Sequence, residues 1–138
     1  MEHIPVAVVR AIIADEQNRV LLLRRRESSQ GGGQWCLPGG KVDYDQTVEA
    51  AMIHEILEET GLACVACVAA DFLYYQDSLP LKPGGMHCIN FVFKCTVEGE
   101  IVLNAESTEY AWVTTETLQD YAIAFRNDEI VEWFFNIA

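Results

Sequence analysis

Three glutamates, Glu55, Glu58 and Glu59, are the residues whose type and spacing best predict chemistry in this chain. On a helix, residues three and four apart are neighbours, so the three carboxylates share one face and span only about 6 Å along the axis. Carboxylates this close repel one another at neutral pH, and a divalent cation would remove that repulsion. Hard cations such as Mg²⁺ take oxygen ligands, often including phosphate oxygens. The triplet therefore predicts a metal-dependent phosphate site.

The helix that carries the triplet is predicted to run from about Thr47 to Thr60. Asp45 or Thr47 is suited to cap its first turn, because a short oxygen-bearing side chain can accept from the free backbone N–H groups there. Gly61 is suited to the left-handed conformation that ends many helices. These signals bound a helix of about four turns.

The apolar residues of this helix predict which side of it packs. Ala50, Ile53 and Leu57 follow the i, i+3, i+7 pattern, and Ile56 flanks them. We expect this stripe to face the protein interior while the carboxylates face solvent.

Two glycines precede the helix, in Leu37-Pro38-Gly39-Gly40. Glycine allows the backbone to approach a ligand closely and to present its carbonyl or amide groups. For an isolated group of glutamates, a solvated acidic helix is the commoner explanation. The combination of glycines, helix and carboxylates favours a ligand site instead.

Residues 40–62 resemble the Nudix box, the signature of the Nudix (MutT-like) hydrolases. That pattern is Gly, five residues, Glu, seven residues, then Arg-Glu-aliphatic-any-Glu-Glu-any-Gly-aliphatic. The matching positions are Gly40, Glu55, Ile56, Glu58, Glu59, Gly61 and Leu62. Two positions depart from it, with Gln46 in place of Glu and His54 in place of Arg. The segment around Trp35 also resembles the lead-in of the family, and Glu109-x-x-Trp112-Val113 resembles a late feature of it.

The resemblance implies an α/β fold, the Nudix α/β/α sandwich with a mixed β-sheet. It also implies hydrolysis of a pyrophosphate bond in a nucleoside diphosphate linked to another group. Glu55, Glu58 and Glu59 would bind Mg²⁺ or Mn²⁺, and the carbonyl of Gly40 would complete the metal site. Family members differ in which acid activates the attacking water, and Glu55 or Glu58 is our choice here.

The two departures from the family pattern define a hypothesis about how the carboxylates are oriented. In the family the arginine is thought to hold the carboxylates in place, and the glutamate adds a further acid. The change to Gln46 and His54 removes one acid and one strong base together. His54 lies one turn before Glu58 and can donate a hydrogen bond to it, so it would take over part of the orienting role. The alternative is that His54 is a tolerated surface residue.

Substrate-binding candidates lie outside the box. Arg24, Arg25 and Arg26 are the densest positive cluster of an acidic chain, and at least one of them is a candidate to face substrate phosphate. Tyr74 and His87 could stack on a base, as could Phe72 and Tyr75, since aromatic faces accept any nucleobase. Aromatic residues at strand spacing more often belong to the core.

Late acidic residues form a further group of candidates. Glu106 and Glu109 precede Trp112, and a late acid often joins the metal site in the family that the chain resembles. Solvation at the surface explains each of them equally well.

Composition limits the partners. The 138 residues carry a formal net charge of −12, which disfavours duplex DNA because its binding depends on Lys and Arg. The partner expected is a small nucleotide-type molecule. The sequence contains no run of 18 or more apolar residues, which predicts no membrane span. It also begins without the basic region of a signal peptide.

The five cysteines do not form a disulfide framework. They are Cys36, Cys64, Cys67, Cys88 and Cys95, an odd number without framework spacing. Cys64-Val65-Ala66-Cys67 has C-x-x-C form but no second pair for zinc. We interpret the cysteines as buried structural thiols in a reducing cytoplasm.

The remaining pattern predicts one domain over residues 1–138. Strands are expected at 6–13, 20–23, 62–70, 71–76, 87–97 and 110–113, with helices at 115–121 and from 127 or 128 to 136. Asn127 or Asp128 is the expected cap of the last helix. The mixture of strands and helices favours an α/β arrangement.

Three classes of function are compatible with these features. The first is a metal-dependent pyrophosphohydrolase, and the second is a Nudix domain that binds a nucleotide with little or no turnover, as a sensor or regulator. Retention of all three core carboxylates argues against the second. The third, an interaction domain with an acidic helix, rests on net charge alone. A homodimer is possible, because dimers are frequent in the family.

Overall fold

A computed structural model describes the backbone of residues 4–29, 31–77 and 87–137, and the side chains of 4–29, 31–70 and 87–136. Within these described residues, seven strands and two helices follow one another. They are β1 (Val6–Ile13), β2 (Val20–Arg25), β3 (Trp35–Cys36), β4 (Gly39–Lys41), α1 (Val48–Thr60), β5 (Ala63–Asp77), β6 (His87–Glu98), β7 (Ser107–Val113) and α2 (Asn127–Ile137). A 3₁₀ turn, Leu118–Asp120, precedes α2.

The strands form two sheets. The larger has the order β4-β1-β6-β5 and is mixed, because β1 pairs with β6 in parallel and with β4 in the antiparallel sense. The smaller has the order β3-β2-β7 and is antiparallel. The mixed sheet predicted from the sequence is confirmed.

Two hydrophobic cores flank the sheets, because β1 and β2 bury both of their faces. Alternate residues such as Val9 and Leu21 pack against Met52 and Ile56 of α1. The residues between them, such as Ile12 and Leu22, pack with Ile130 and Val131 of α2. The helices therefore cover opposite sides, as in the expected α/β/α sandwich.

The predicted strands agree with the structure except at several ends. β1 has the expected bounds, whereas β2 and β7 extend beyond the predicted 20–23 and 110–113. The two predicted strand segments at 62–76 form one strand, β5, which contains two register shifts. The short strands β3 and β4 were not predicted, because each is held by pairing with a neighbour rather than by a local pattern.

The ends of α1 confirm the local signals. The Thr47 hydroxyl accepts from the backbone N–H of Ala50, so Thr47 is the cap rather than Asp45. Gly61 adopts φ 74°, and its N–H donates to the Leu57 carbonyl. A residue with a Cβ would be strained in this left-handed conformation.

The predicted packing face of α1 is wrong. Ala51, Met52 and Ile56 are fully buried, whereas Ile53 is 42 % exposed, Leu57 is 56 % exposed and Ala50 is also exposed. The helix is turned so that its sheet-facing side includes Glu55 and Glu59 as well as apolar residues. This orientation is possible because the neighbouring strand, β4, offers glycine and backbone N–H groups to those carboxylates.

The C-terminal region differs from its prediction in two places. The helix expected at 115–121 is only the 3₁₀ turn. Asn127 begins α2, but its buried side-chain oxygen accepts from the backbone N–H of Leu37 instead of capping the helix. This bond ties α2 to the segment before β4. Within the described residues, neither helix has the length and apolar character needed to cross a membrane.

Candidate functional site

The glycine pair of β4 forms the floor of the site. β4 pairs with β1 so that Gly39 is opposite Arg10 and Gly40 is opposite Val9. A Cβ at Gly40 would overlap the Glu55 carboxylate, and a Cβ at Gly39 would overlap the Val9 carbonyl. Only glycine therefore lets α1 bring its carboxylates against this strand.

The three glutamates of the motif are held differently. Glu59 is partly buried, and its carboxylate accepts from the Gly39 N–H at 3.0 Å. Glu55 is also partly buried and lies against Gly40. Half of the Glu58 side chain is exposed. The structure thus confirms a shared helix side but corrects the expectation that all three acids face solvent.

Burial changes the acidity of two of these carboxyls. Burial raises the pKa of Glu59 to about 8, against an ordinary value of 4.5, and the charge of Glu55 adds to the increase. The Gly39 hydrogen bond and the charge of Arg10 oppose it. Burial and then the charge of Glu58 also raise the pKa of Glu55. Both carboxyls would gain from a cation that stabilises their charged forms.

The two departures from the family pattern occupy different places. His54 Nε2 lies 2.9 Å from Glu58 Oε2, so the contact expected between these side chains is present. Ligand atoms of His54, Glu55 and Glu58 lie within 4.8 Å of one another. The Gln46 amide oxygen accepts from the backbone N–H of Asp43 in the loop before α1. His54 thus contacts a carboxylate of the triplet, while Gln46 shapes the loop.

A cavity of about 430 Å³ opens above the glycine floor. Its lining contains both acidic and basic side chains. The acids are Asp43, Glu55, Glu58, Glu59 and Glu106, and the cations are Arg10, Arg25 and Lys41. A space of this size, lined by both acids and cations, suits a metal-bound polyanion.

Arg10, Asn90 and Phe125 also line this cavity, although the sequence did not mark them as site residues. Arg10 is 8 % exposed and donates through Nη1 to the Leu37 carbonyl at 2.9 Å. Asn90, on β6, is 1 % exposed. Within the described structure, Arg10 Nε and Asn90 Nδ2 are buried without a hydrogen-bond partner. Of these three residues, only Arg10 had a signal in the sequence, because it is a charged residue inside an otherwise apolar strand.

Phe125 contacts two of the cations that line the cavity, and we call Arg10, Arg25 and Phe125 the basic wall. Its ring lies 5.2 Å from the Arg10 guanidinium carbon and 4.8 Å from that of Arg25, which are cation–π distances. Phe125 has φ 58°, a conformation that bulky residues rarely adopt. The strand-like segment before it holds this position, since the Ala124 N–H donates to the Trp35 carbonyl.

The three arginines that were candidates for substrate binding lie in different environments. Arg25 lines the cavity, as expected for at least one of them. Arg24 instead forms an ion pair with Glu109 at 2.7 Å and donates to the Gly33 carbonyl. Arg26 is exposed in the loop after β2 and is not among the cavity residues. Of the two late acids, Glu106 lines the cavity and Glu109 is the partner of Arg24.

Neither of the two aromatic candidates, Tyr74 and His87, is among the described residues that line the cavity. The side chain of Tyr74 lies outside the described residues, as do those of Phe72 and Tyr75. His87 begins β6 and pairs with Asp77. Side chains alternate along a strand, so the neighbours that line the cavity are Cys88 and Asn90.

Comparisons with known proteins identify the family of the chain. A family model described as NUDIX domain matches residues 4–134. The chain is 28 % identical over 120 residues to a nucleoside triphosphatase, NudI, of Klebsiella pneumoniae, covering 83 % of this chain and 85 % of the relative. It is 33 % identical over 64 residues to an 8-oxo-dGTP diphosphatase of Proteus vulgaris, covering 46 % of this chain and 57 % of that protein.

A solved structure extends the likeness to the fold. The crystal structure of a MutT protein from Methanosarcina mazei superposes with a TM-score of 0.78 and 30 % sequence identity. The superposition covers 97 % of this chain and 95 % of the other.

Proposed function

The chain belongs to the Nudix family of pyrophosphohydrolases, and we propose that it cleaves a nucleoside triphosphate with the help of Mg²⁺ or Mn²⁺. The observation that carries this proposal is that one cavity is lined both by the α1 carboxylates and by two arginines that contact Phe125. The related triphosphatase and diphosphatase support the substrate class.

The donor set fits a hard divalent cation. Glu55, Glu58 and Glu59 offer only oxygen atoms, which Mg²⁺ and Mn²⁺ prefer. The raised pKa of Glu59, about 8, also fits, because a cation would stabilise the charged form that burial disfavours. Bound there, such an ion screens phosphate oxygens and makes a water molecule more acidic. Gly40 and Glu106 are the neighbours available to complete the site.

The basic wall would orient the phosphate chain. Arg25 and Arg10 offer guanidinium donors, which match phosphate oxygens in pairs, and Phe125 holds both guanidinium groups by their faces. Arg10 Nε and Asn90 Nδ2 lack a partner among the described residues, although buried donors nearly always have one, and both residues line the cavity. Asn90 is therefore our candidate for a contact to the substrate.

Of the two candidate bases, Glu58 is the better placed to take a proton from water. Half of its side chain is exposed, and its Oε2 lies 2.9 Å from His54 Nε2. Glu55 lies against Gly40, and Glu59 is held by the Gly39 N–H. Water would attack one phosphorus of the pyrophosphate bond, and the freed phosphate group would leave with the electrons of that bond. His54 would keep Glu58 directed toward the cavity.

The test is turnover of a substrate panel with Mg²⁺. Nucleoside triphosphates, dinucleoside polyphosphates and nucleotide sugars are incubated with the protein, and released phosphate and pyrophosphate are measured. We expect triphosphates to be hydrolysed and Glu58→Gln to abolish the reaction without loss of fold. Glu116→Gln, an exposed glutamate outside the cavity, is the matched control. Binding across the panel without turnover would instead favour the sensor function.

A further inference from the structure

Three cysteines cluster on the side of the large sheet that packs toward α1, away from the cavity. Ligand atoms of Cys64, Cys67 and Cys95 all lie within 4.8 Å of one another. The sulfurs of Cys67 and Cys95 are 3.9 Å apart. Cys95 is buried, whereas Cys64 and Cys67 are partly exposed, so an ion could reach the cluster from solvent. None of the three lines the cavity with the glutamates.

An irregularity in β5 brings these thiols together. Residues three apart on a regular strand point to opposite faces, so Cys64 and Cys67 would normally diverge. The register of β5 against β6 shifts between Cys64 and Ala66, and as a result Cys64 is opposite Val97 and Cys67 is opposite Cys95. Cys95 and Val97 are two apart and share a face. The bulge therefore places both cysteines of the C-x-x-C on the face that holds Cys95.

The sulfur spacing matches that of ligands to one metal ion. With Zn–S bonds of about 2.3 Å, tetrahedral geometry places two sulfurs about 3.8 Å apart. The 3.9 Å between Cys67 and Cys95 fits this value. A disulfide would need the same sulfurs at about 2.05 Å. One pair of sulfurs thus already has the spacing of ligands to one ion, and the sulfur of Cys64 lies within 4.8 Å of both.

We propose that Cys64, Cys67 and Cys95 form a three-thiolate site for a thiophilic metal ion of the Zn²⁺ type. Thiolates are soft ligands, so this site would select a different ion from the carboxylates of α1. Each cysteine that binds loses its thiol proton to solvent, and affinity rises with pH. Burial raises the pKa of the Cys67 thiol, and the charge of Glu49 in the first turn of α1 adds to the increase. The fourth position of the ion is open to water.

The competing interpretation is that the thiols merely pack. Cys95 belongs to a core cluster with Phe93, and Cys64 and Cys67 lie against the same cluster. Weak thiol hydrogen bonds would accompany such packing, because Cys95 Sγ donates to Cys67 Sγ at 3.9 Å and Cys64 Sγ donates to the Ala66 carbonyl at 3.3 Å. A disulfide between Cys67 and Cys95 is a second competitor, because the two residues are directly opposite on neighbouring strands.

Metal titration of the whole chain separates these interpretations. The protein is kept reduced with a phosphine, saturated with Mg²⁺, and titrated with Zn²⁺ and then with Cd²⁺ while ultraviolet thiolate-to-metal charge transfer is recorded. This absorption arises only from sulfur ligands, so the carboxylate site does not contribute. We expect one thiolate-bound ion per chain. Cys64→Ser and Cys67→Ser should each weaken binding at least about tenfold, because even loss of a group that only orients a ligand costs this much.

Cys36→Ala is the matched control, because Cys36 lies on β3 in the other sheet and should not change the titration. Circular dichroism of each variant separates loss of a ligand from loss of fold. Absence of charge transfer in the reduced protein would overturn the proposal, as would its persistence in the Cys64→Ser/Cys67→Ser double variant. If two thiols were undetectable before reduction and the reduced protein bound no metal, a disulfide would explain the cluster instead of a metal site.

Discussion

The inner and outer sides of α1 differ in a way that the amino-acid types alone do not suggest. The inner side combines fully buried Met52 and Ile56 with two partly buried glutamates, Glu55 and Glu59. The outer side exposes apolar residues, including Leu57 at 56 %. Apolar residues thus face water while acids face the protein. The difference shows that the strand opposite the helix, with its glycines and backbone N–H groups, decides which residues lie inward.

Removing side-chain volume from each side tests this comparison most directly. Met52→Ala should lower the free energy of unfolding by about 2–5 kcal/mol, because it leaves a cavity in a packed core. Leu57→Ala should change it by only about 0.5 kcal/mol, as at other exposed positions. Urea denaturation of both variants gives the two values. Equal losses would show that Leu57 is packed, as the sequence pattern predicted.

Neutralising an inner acid should damage catalysis far more than neutralising an acid elsewhere on the same helix. Glu55→Gln should reduce kcat by about 10²–10³-fold, comparable to the loss of one group that stabilises transition-state charge. Glu49→Gln, in the exposed first turn, should leave kcat unchanged. Steady-state kinetics at saturating Mg²⁺ measures both. Equal kcat in Glu55→Gln and wild type would remove Glu55 from the site.

Burial of Glu59 predicts how stability depends on pH. Its pKa is about 8 in the folded chain against an ordinary 4.5, so between these values the unfolded chain binds fewer protons. Without metal, this carboxyl therefore makes stability fall as pH rises through that window, by at most about 1.4 kcal/mol per pH unit. Mg²⁺ favours the charged form, so the Tm increase that it causes should be larger at pH 8 than at pH 6.

Thermal unfolding with Mg²⁺ and with EDTA, across this pH range, measures both effects. Glu59→Gln is the control, since an amide does not titrate and should flatten the dependence. A metal-induced Tm increase that does not change between pH 6 and pH 8 would contradict the assignment.

The smallest effect is expected at His54, on the border between the two sides. His54 pairs with Glu58, but about half of each side chain is exposed, and such pairs contribute at most about 1 kcal/mol, or about fivefold in rate. Arginine also offers donors to a carboxylate. His54→Arg should therefore retain activity, whereas His54→Ala should lower kcat by up to about fivefold. Equal kcat in His54→Ala and wild type, measured by steady-state kinetics, would refute the orienting role.

Local patterns in the sequence determined the parts of this protein that depend on near neighbours. The capping by Thr47, the left-handed stop at Gly61 and the strand at 6–13 follow from residues a few positions apart. The contact between His54 and Glu58 also follows from helix spacing alone. The Nudix pattern lies within one continuous segment as well, which is why the amino-acid sequence alone predicts both the family and the fold.

Tertiary structure alone decided which residues complete the site. Arg10, Asn90 and Phe125 come from two strands and a turn that are far apart in sequence, so no local period relates them. The inward side of α1 depended on the backbone of β4, which pairs with β1. The meeting of Cys95 with the C-x-x-C depended on one register shift in β5. In each case a distant segment supplied the contact, and a single sequence does not record which segments become neighbours.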